Sequence, residues 1–169
     1  RGVPGSGLGL ALVRAIVACC RDPRYAGKSL GVVSLQGRDQ AALIEAMLLD
    51  ELGAEELSAR RLICGDALGD ELPVASFDWI FDQTFLCALF PDQRCRYPQQ
   101  MRRLLQSDGQ LWVLNVRTPH RDRQPYDLAP ALVIELLAEA GLQLLWQRPL
   151  TTESHPRRRG RERWLVFGR

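Results

Sequence analysis

The residues best placed to do chemistry stand in one run: Phe77-Asp-Trp-Ile-Phe-Asp82, Gln83-Thr-Phe-Leu-Cys-Ala-Leu-Phe90 and Pro91-Asp-Gln-Arg94. An apolar strand that ends in a carboxylate, an amide and a hydroxyl sets Asp82, Gln83 and Thr84 at its carboxyl edge. In an open α/β sheet, that edge is where ligands bind. The apolar residues that follow, Phe85, Leu86 and Phe90, would wall a pocket for a flat or soft substrate; a core helix turn is the alternative. Arg94, one turn after Pro91, would reach into the crevice and meet a carboxylate, unless it makes an ordinary surface salt bridge. Upstream, Gly5-Ser6-Gly7-Leu8-Gly9 follows the stub of a strand and opens a helix. Glycines there permit positive φ and close approach of a ligand, and the helix amino terminus adds partial positive charge. The third glycine of the dinucleotide fingerprint is missing, so a plain tight turn stays open.

Two further strand ends carry polar candidates. The second strand ends at Gln36, where a carboxylate for ribose hydroxyls is usual. A neutral hydrogen bond contributes about 1 kcal/mol and a charged one about 1.5–3, so Gln36 would weaken nucleotide binding on the order of tenfold. Asp39 is the rival, although its spacing suits a helix cap, and Gln36 as an idle loop residue also fits. The third strand ends at Gly65-Asp66, where Asp66 would accept a bond from an exocyclic amine such as adenine's; an Asx turn is the alternative.

Other chemistries fare worse. Cys87 has no histidine near it in sequence, and a buried free thiol is the common case. His120 and His155 both fall in loops, and no metal-ligand spacing links them to the five cysteines. No catalytic residue and no metal site is therefore expected. Arg157-Arg-Arg-Gly-Arg-Glu-Arg163 is short and interrupted by Glu162. It reads as a solvated loop, or one that meets an anionic part of a substrate, rather than a nucleic-acid patch.

These residues need a sheet to hold them. With 169 residues, 46% of them apolar and 25% charged, the chain is long enough for a single domain, 1–169, with a substantial core. A net charge of +2 argues for neither a nucleic-acid nor a membrane partner. An odd number of cysteines without a CxxC pair suits reduced thiols in the cytoplasm. There is no apolar run of membrane length. The chain starts at Arg1 rather than Met, so a first strand is expected to be largely truncated.

Along the chain, Leu8–Cys20 reads as a helix packed under a sheet, and Leu30–Leu35 as a strand buried on both faces. Asp39 would cap a helix running to Leu52 and stopped by Gly53. Arg61–Cys64 and Phe77–Phe81 are the next strands. Pro91 starts a helix that ends at Asp108-Gly109, and Gln110–Val116 is the fifth strand. A loop over Thr118–Ala129 follows, then a helix over Pro130–Ala140 closed by Gly141. Leu142–Gln147 and Trp164–Phe167 have no helix between them and should be an antiparallel pair at one end. Strands alternating with helices make this an α/β chain with a mostly parallel sheet.

Several of these segments together resemble the thiopurine S-methyltransferase family, including its halide/thiol methyltransferase relatives. The resemblance rests on Val3-Pro-Gly-Ser-Gly-Leu-Gly9, on Phe77–Asp82 running into Thr84-Phe-Leu-Cys-Ala-Leu89, on Pro91-Asp-Gln-Arg94, and on Leu104-Leu-Gln-Ser-Asp-Gly-Gln-Leu111. Pro125-Tyr126 and Arg159-Gly-Arg-Glu162 fall in family order. The resemblance implies a Rossmann-like methyltransferase fold, a seven-stranded sheet with an antiparallel strand at one end, and S-adenosylmethionine as cofactor. It implies cofactor contacts at Gly5, Ser6, Gly7, Gly9, Gln36, Asp66, Ala67, Asp82, Gln83, Thr84 and Arg94. Substrate contacts are expected at Phe85, Leu86, Arg94 and Tyr126. The expected reaction is in-line methyl transfer to a soft small-molecule nucleophile (thiol, thiopurine, halide or chalcogen anion) by a cytoplasmic monomer. Three departures, Gln36 for the family acid, Ala11 for an aspartate and a missing amino-terminal cap, motivate an alternative: a catalytically impaired domain serving as a binding or interaction module.

Overall fold

Asp78, Ile80 and Asp82 point to one face of a seven-residue strand, Phe77–Gln83, while Phe77, Trp79, Phe81 and Gln83 are half-buried on the other. This period of two gives the strand one buried and one half-buried face. The computed structural model describes residues 13, 16–18, 20–23, 30–34, 37–55, 66–150 and 158–169. Among these residues five strands form one sheet: β1 (Leu30–Ser34), β2 (Phe77–Gln83), β3 (Leu105–Val116), β4 (Gln143–Pro149) and β5 (Glu162–Gly168), in the order β1-β2-β3-β5-β4. Of the seven strands expected, the stub before the glycine turn and Arg61–Cys64 lie outside the described residues.

β1, β2 and β3 run parallel, and the register pairs Ser34 with Gln83 and Gln83 with Leu114, so the three carboxyl ends lie side by side. β5 is antiparallel to both β3 and β4. The antiparallel strand is thus at the expected end of the sheet but one place in from its edge, which β4 forms. The β3–α–β4 crossover skips a position, and β5 fills it.

Two helices cover one face. Helix Tyr97–Leu104 buries Tyr97, Gln100, Met101 and Leu104, and helix Pro130–Glu139 buries Val133 and Leu137. They pack with Ile80, Leu111, Val113, Leu165 and Phe167 into the main core. The other face carries all four tryptophans of the chain. Phe81 stacks on Trp112 at 5.3 Å, Trp112 meets Trp146 edge-on at 5.0 Å, and Trp164 lies 5.9 Å from Trp112.

The continuous helix expected from Pro91 to Asp108 is broken. Pro91–Arg94 forms one turn, a second helix restarts at Tyr97, and β3 begins already at Leu105. Pro98 explains the restart, because its ring has no N–H to give to the turn before it and fits only the first turn of a helix. Leu105 pairs with Phe77, the register then shifts, and Trp79 pairs with Gln110. Gly109 belongs at this irregularity, since a Cβ there would come to 3.0 Å from the Phe77 carbonyl oxygen. The helix expected after Asp39 spans Gly37–Leu52, so Asp39 lies within its first turn instead of capping it. It stops as expected at Gly53, φ +81°, and the last helix stops at Gly141, φ +79°, both in the left-handed region that glycine enters without a Cβ penalty.

The chain forms two compact units, one of residues 1–28 and 36–64, the other of 29–35 and 65–169. In the first, Val13, Ile16, Val17, Ile44 and Leu48 are buried, and Arg21 donates to the Glu51 carbonyl at 2.8 Å. The sheet belongs to the second.

Candidate active site

At the end of β2 the backbone turns sharply. Thr84 has φ +64°, a region that β-branched residues rarely enter and that costs on the order of 1–3 kcal/mol. Asp82 holds the turn. Its Oδ1 accepts from the Phe85 N–H at 2.7 Å, and its Oδ2 from the Leu86 N–H at 3.1 Å and the Tyr97 hydroxyl at 2.6 Å. The carboxylate therefore caps the 3₁₀ turn Leu86–Ala88, satisfying donors that a helix start leaves unpaired. Asp82 is 1% exposed. Burial pushes its pKa up to about 6, although all three hydrogen bonds pull the other way. Burial, and then the neighbouring Asp82 charge, drives the Tyr97 hydroxyl well above its ordinary range.

Beside this clamp, Cys87 is buried, and its thiol donates to the Thr84 carbonyl at 3.2 Å. Burial, then the Asp82 charge, pushes the thiol up to about 12, so it stays protonated at neutral pH and is no nucleophile. Phe85 is half-buried with its ring 6.1 Å from Tyr97. Leu86 is buried in the main core and also lines a small cavity under the turn. Phe90 is half exposed at the start of the Pro91 turn.

The loop after β3 closes over these residues. The Tyr126 N–H donates to the Cys87 carbonyl at 2.7 Å, and the Gln124 side chain donates to the Ala88 carbonyl. Arg117 and Asp127 tie the loop's two ends together with hydrogen bonds of 2.7 and 2.9 Å. Arg94 lies with its guanidinium 4.3 Å from the centre of the Tyr126 ring, and its Nε donates to the Leu89 carbonyl at 3.1 Å. Its Nη2 is buried and has no hydrogen-bond partner among the described residues. On β3, Asn115 is 3% exposed and donates to the Leu128 carbonyl at 3.0 Å, while its Oδ1 is buried without a hydrogen-bond partner among the described residues. Asn115 lines the cavity with Asp82, Thr84 and Cys87; the volume, about 10 Å³, is near that of a single water. Buried orphan donors and acceptors are uncommon and point to a missing partner.

Asp66 sits at the start of an irregular stretch. Its Oδ1 accepts from the Leu68 N–H at 2.9 Å, the Asx turn considered above, and the side chain is otherwise exposed. Ala67 packs against the main core. The site residues expected at Gly5, Ser6, Gly7, Gly9 and Gln36 lie outside the described residues, as does His155. The structure thus brings Asp82, Gln83, Thr84, Phe85, Leu86, Arg94 and Tyr126 together around one turn. Sequence reasoning missed Asn115, Tyr97 and Gln124. Asn115 left a signal, as a lone amide in the apolar run Leu111–Val116. No group of three or more His, Cys, Asp or Glu suits a metal ion among the described residues, and no helix among them is long and apolar enough to cross a membrane.

A family model described as thiopurine S-methyltransferase (TPMT) matches residues 48–162. Thiocyanate methyltransferase 1 of Arabidopsis thaliana is 32% identical over 92 residues, which cover 54% of this chain and 40% of that relative. The chain therefore spans less than half of that relative's length. Among solved structures, the 1,6-didemethyltoxoflavin-N1-methyltransferase of Burkholderia thailandensis, with bound 1,6-didemethyltoxoflavin and S-adenosylhomocysteine, superposes with a TM-score of 0.60 at 14% identity, over 99% of this chain and 91% of that one. The glycopeptide N-methyltransferase MtfA, complexed with S-adenosylhomocysteine, gives 0.62 at 14% identity, over 95% and 89%. At such identities the likeness shows the Rossmann-like methyltransferase fold.

Proposed function

Because the chain belongs to the thiopurine S-methyltransferase family, whose cofactor is S-adenosylmethionine, we propose that it transfers a methyl group from that cofactor to a soft nucleophile, a small thiol, thiopurine, halide or chalcogen anion. The observation that carries this reading is the make-up of the turn after β2. It sets an apolar wall, a strained backbone and a stacked arginine around the strand tips, without a free acid–base pair among the described residues. Both Asp82 oxygens are engaged by protein donors, and the Cys87 thiol is held protonated.

The residues present fit the cofactor's chemistry. Its amino-acid end carries a carboxylate and an ammonium group. The orphaned Arg94 Nη2 is a donor suited to the first, and the orphaned Asn115 Oδ1 an acceptor suited to the second. Asp66, exposed and with one oxygen outside its Asx turn, would accept from the adenine amine, with Ala67 beside it. Gln83 and Thr84, at the tip of β2, would lie under the cofactor. When bound, S-adenosylmethionine supplies an activated methyl group on a positively charged sulfur.

The chain's own groups then need to align the acceptor and exclude water. Phe85, half-buried, and Phe90, half exposed, give the apolar surface for a polarizable acceptor. Tyr126 holds the Arg94 guanidinium by stacking on it, an arrangement worth about 0.5–1 kcal/mol at a partly exposed site. A thiol acceptor with a pKa near about 8.5 is already partly ionised at neutral pH, so no protein base has to remove its proton.

The test is incubation of the full-length protein with methyl-labelled cofactor and a panel of aliphatic thiols, thiopurines and iodide. Label transferred to a member of the panel is the expected result. Cofactor binding without transfer to any of them would overturn the reading.

A further inference from the structure

The irregular stretch that begins at Asp66 has little structure of its own: one Asx turn and a Gly69 N–H donating to the Asp66 carbonyl at 3.0 Å. Its shape is set from outside. Arg96, Gln100 and Arg103 are spaced by four and three residues, so they share one face of helix Tyr97–Leu104 and its cap. Arg96 donates to the Leu68 carbonyl at 3.1 Å. Gln100 donates to the Gly69 carbonyl, and Arg103 donates to the Gly69 and Leu72 carbonyls at 3.2 and 3.0 Å. Arg103 also donates from Nε to the Gln100 side-chain oxygen at 3.0 Å, locking the pair. The far end of the stretch is sewn to the same helix, with Ala75 and Ser76 N–H groups donating to the Arg103 and Leu104 carbonyls, each at 2.9 Å. A groove of about 380 Å³, lined by Leu68, Asp70, Gln99 and these three side chains, opens beside the clamp. Hydrogen bonds thus fix the carbonyls of this backbone, beside the packing of Leu68 and Leu72 into the main core.

We propose that Arg96, Gln100 and Arg103 are positioning residues for recognition of the cofactor's adenine: they fix the turn that presents Asp66. This rests on the reading of Asp66 given above. A single carboxylate can discriminate an exocyclic amine from a carbonyl only if its position is fixed, because a mobile one can retreat from the repelling oxygen. Three carbonyls held by two guanidiniums and an amide supply that fixity, and bonds from charged donors are the stronger kind.

The experiment uses the full chain and two probes, S-adenosylhomocysteine and S-inosylhomocysteine, in which a carbonyl replaces the adenine amine. Calorimetry gives the ratio of their dissociation constants. The wild type should prefer the adenine ligand by roughly tenfold, the size of one charge-assisted hydrogen bond. Gln100→Met and Arg103→Met should bring the ratio close to one, and Arg103→Lys should restore part of it. If Gln100→Met fails to fold, Arg96→Met, an exposed position, is judged by the same ratio. A merely structural clamp would lower stability and leave the ratio alone. A wild type that discriminates, with variants that discriminate equally, overturns the proposal and leaves the cofactor reading standing. A wild type that binds both ligands equally overturns the proposal. One that binds neither overturns both.

Discussion

Replacing Tyr97 by Phe removes one hydroxyl and almost nothing else, and its consequence should depend on pH in a calculable way. The hydroxyl donates to Asp82 Oδ2 at 2.6 Å inside the core. Asp82 keeps the Phe85 and Leu86 N–H groups. The Asp82 carboxyl is raised by burial from 3.8 to about 6. A group whose folded pKa lies above its unfolded one binds more protons when folded. Its stability contribution is therefore fully present below the unfolded value and is lost as pH rises through the folded value. Two pKa units correspond to about 3 kcal/mol, so the wild type should lose roughly that much between pH 4 and 6, then level off. Tyr97 favours the ionised form, and a hydrogen bond to a charged group contributes about 1.5–3 kcal/mol. Without it the carboxyl should move up by a further one to two units. The wild-type and Tyr97→Phe curves should then run close at pH 5, separated by about 1 kcal/mol for a neutral hydrogen bond, and diverge toward pH 8. Urea unfolding followed by tryptophan fluorescence is a direct assay, because all four tryptophans lie on one sheet face. Curves separated by the same free energy from pH 5 to 8 would refute the assignment of Asp82 as a buried, Tyr97-stabilised carboxylate.

Thr84→Gly should raise stability by about 0.5–1 kcal/mol, since glycine tolerates φ +64°; an unchanged or lower midpoint in thermal melts would mean the turn carries no strain. Arg94→Met should raise the KM for cofactor by roughly tenfold with a smaller change in kcat, and Arg94→Lys should not rescue it, because an ammonium group cannot reproduce the planar stack on Tyr126. Equal kinetics for the lysine variant would refute the stacking argument. Mapped by peptide, an aromatic disulfide reagent at pH 8 should label exposed Cys95 within minutes and buried Cys87 only after denaturation. Cys87→Ser should keep methyl transfer within about threefold, whereas a loss on the order of a hundredfold would restore the nucleophile reading.

The sequence exposes features that are settled by a few neighbouring residues. Gly53 and Gly141 end their helices where expected because a left-handed residue is a local requirement. The β2 strand is legible from its own alternation. The early start of β3 is not, since Leu105-Gln-Ser-Asp-Gly109 has no strand period. Leu105 becomes extended only because Phe77 pairs with it, across 28 positions of sequence. The break after Arg94 depended on weighing Pro98 as a helix start rather than as a residue inside one.

The same distinction decides how the site is read. In sequence, Asp82 stands at the carboxyl edge of its strand, and the family resemblance puts it with Gln83 and Thr84 against the cofactor. In the fold, its two oxygens already receive three protein donors, and an ionised carboxylate accepts rather than donates. It is held to shape the turn that carries Gln83 and Thr84. On the cofactor reading proposed above, affinity for its charged end would then draw on groups whose hydrogen bonding is incomplete among the described residues, such as Arg94 Nη2 and Asn115 Oδ1. Leaving a buried polar atom unpaired costs about 1–3 kcal/mol, so a partner from a ligand, or a water of the size the cavity beside Asn115 admits, is favourable. On the same cofactor reading, part of the affinity would come from pairing these two atoms. Replacing Asn115 with Leu should accordingly stabilise the free protein less than its burial suggests, because the Leu128 carbonyl loses its donor, while ligand affinity falls.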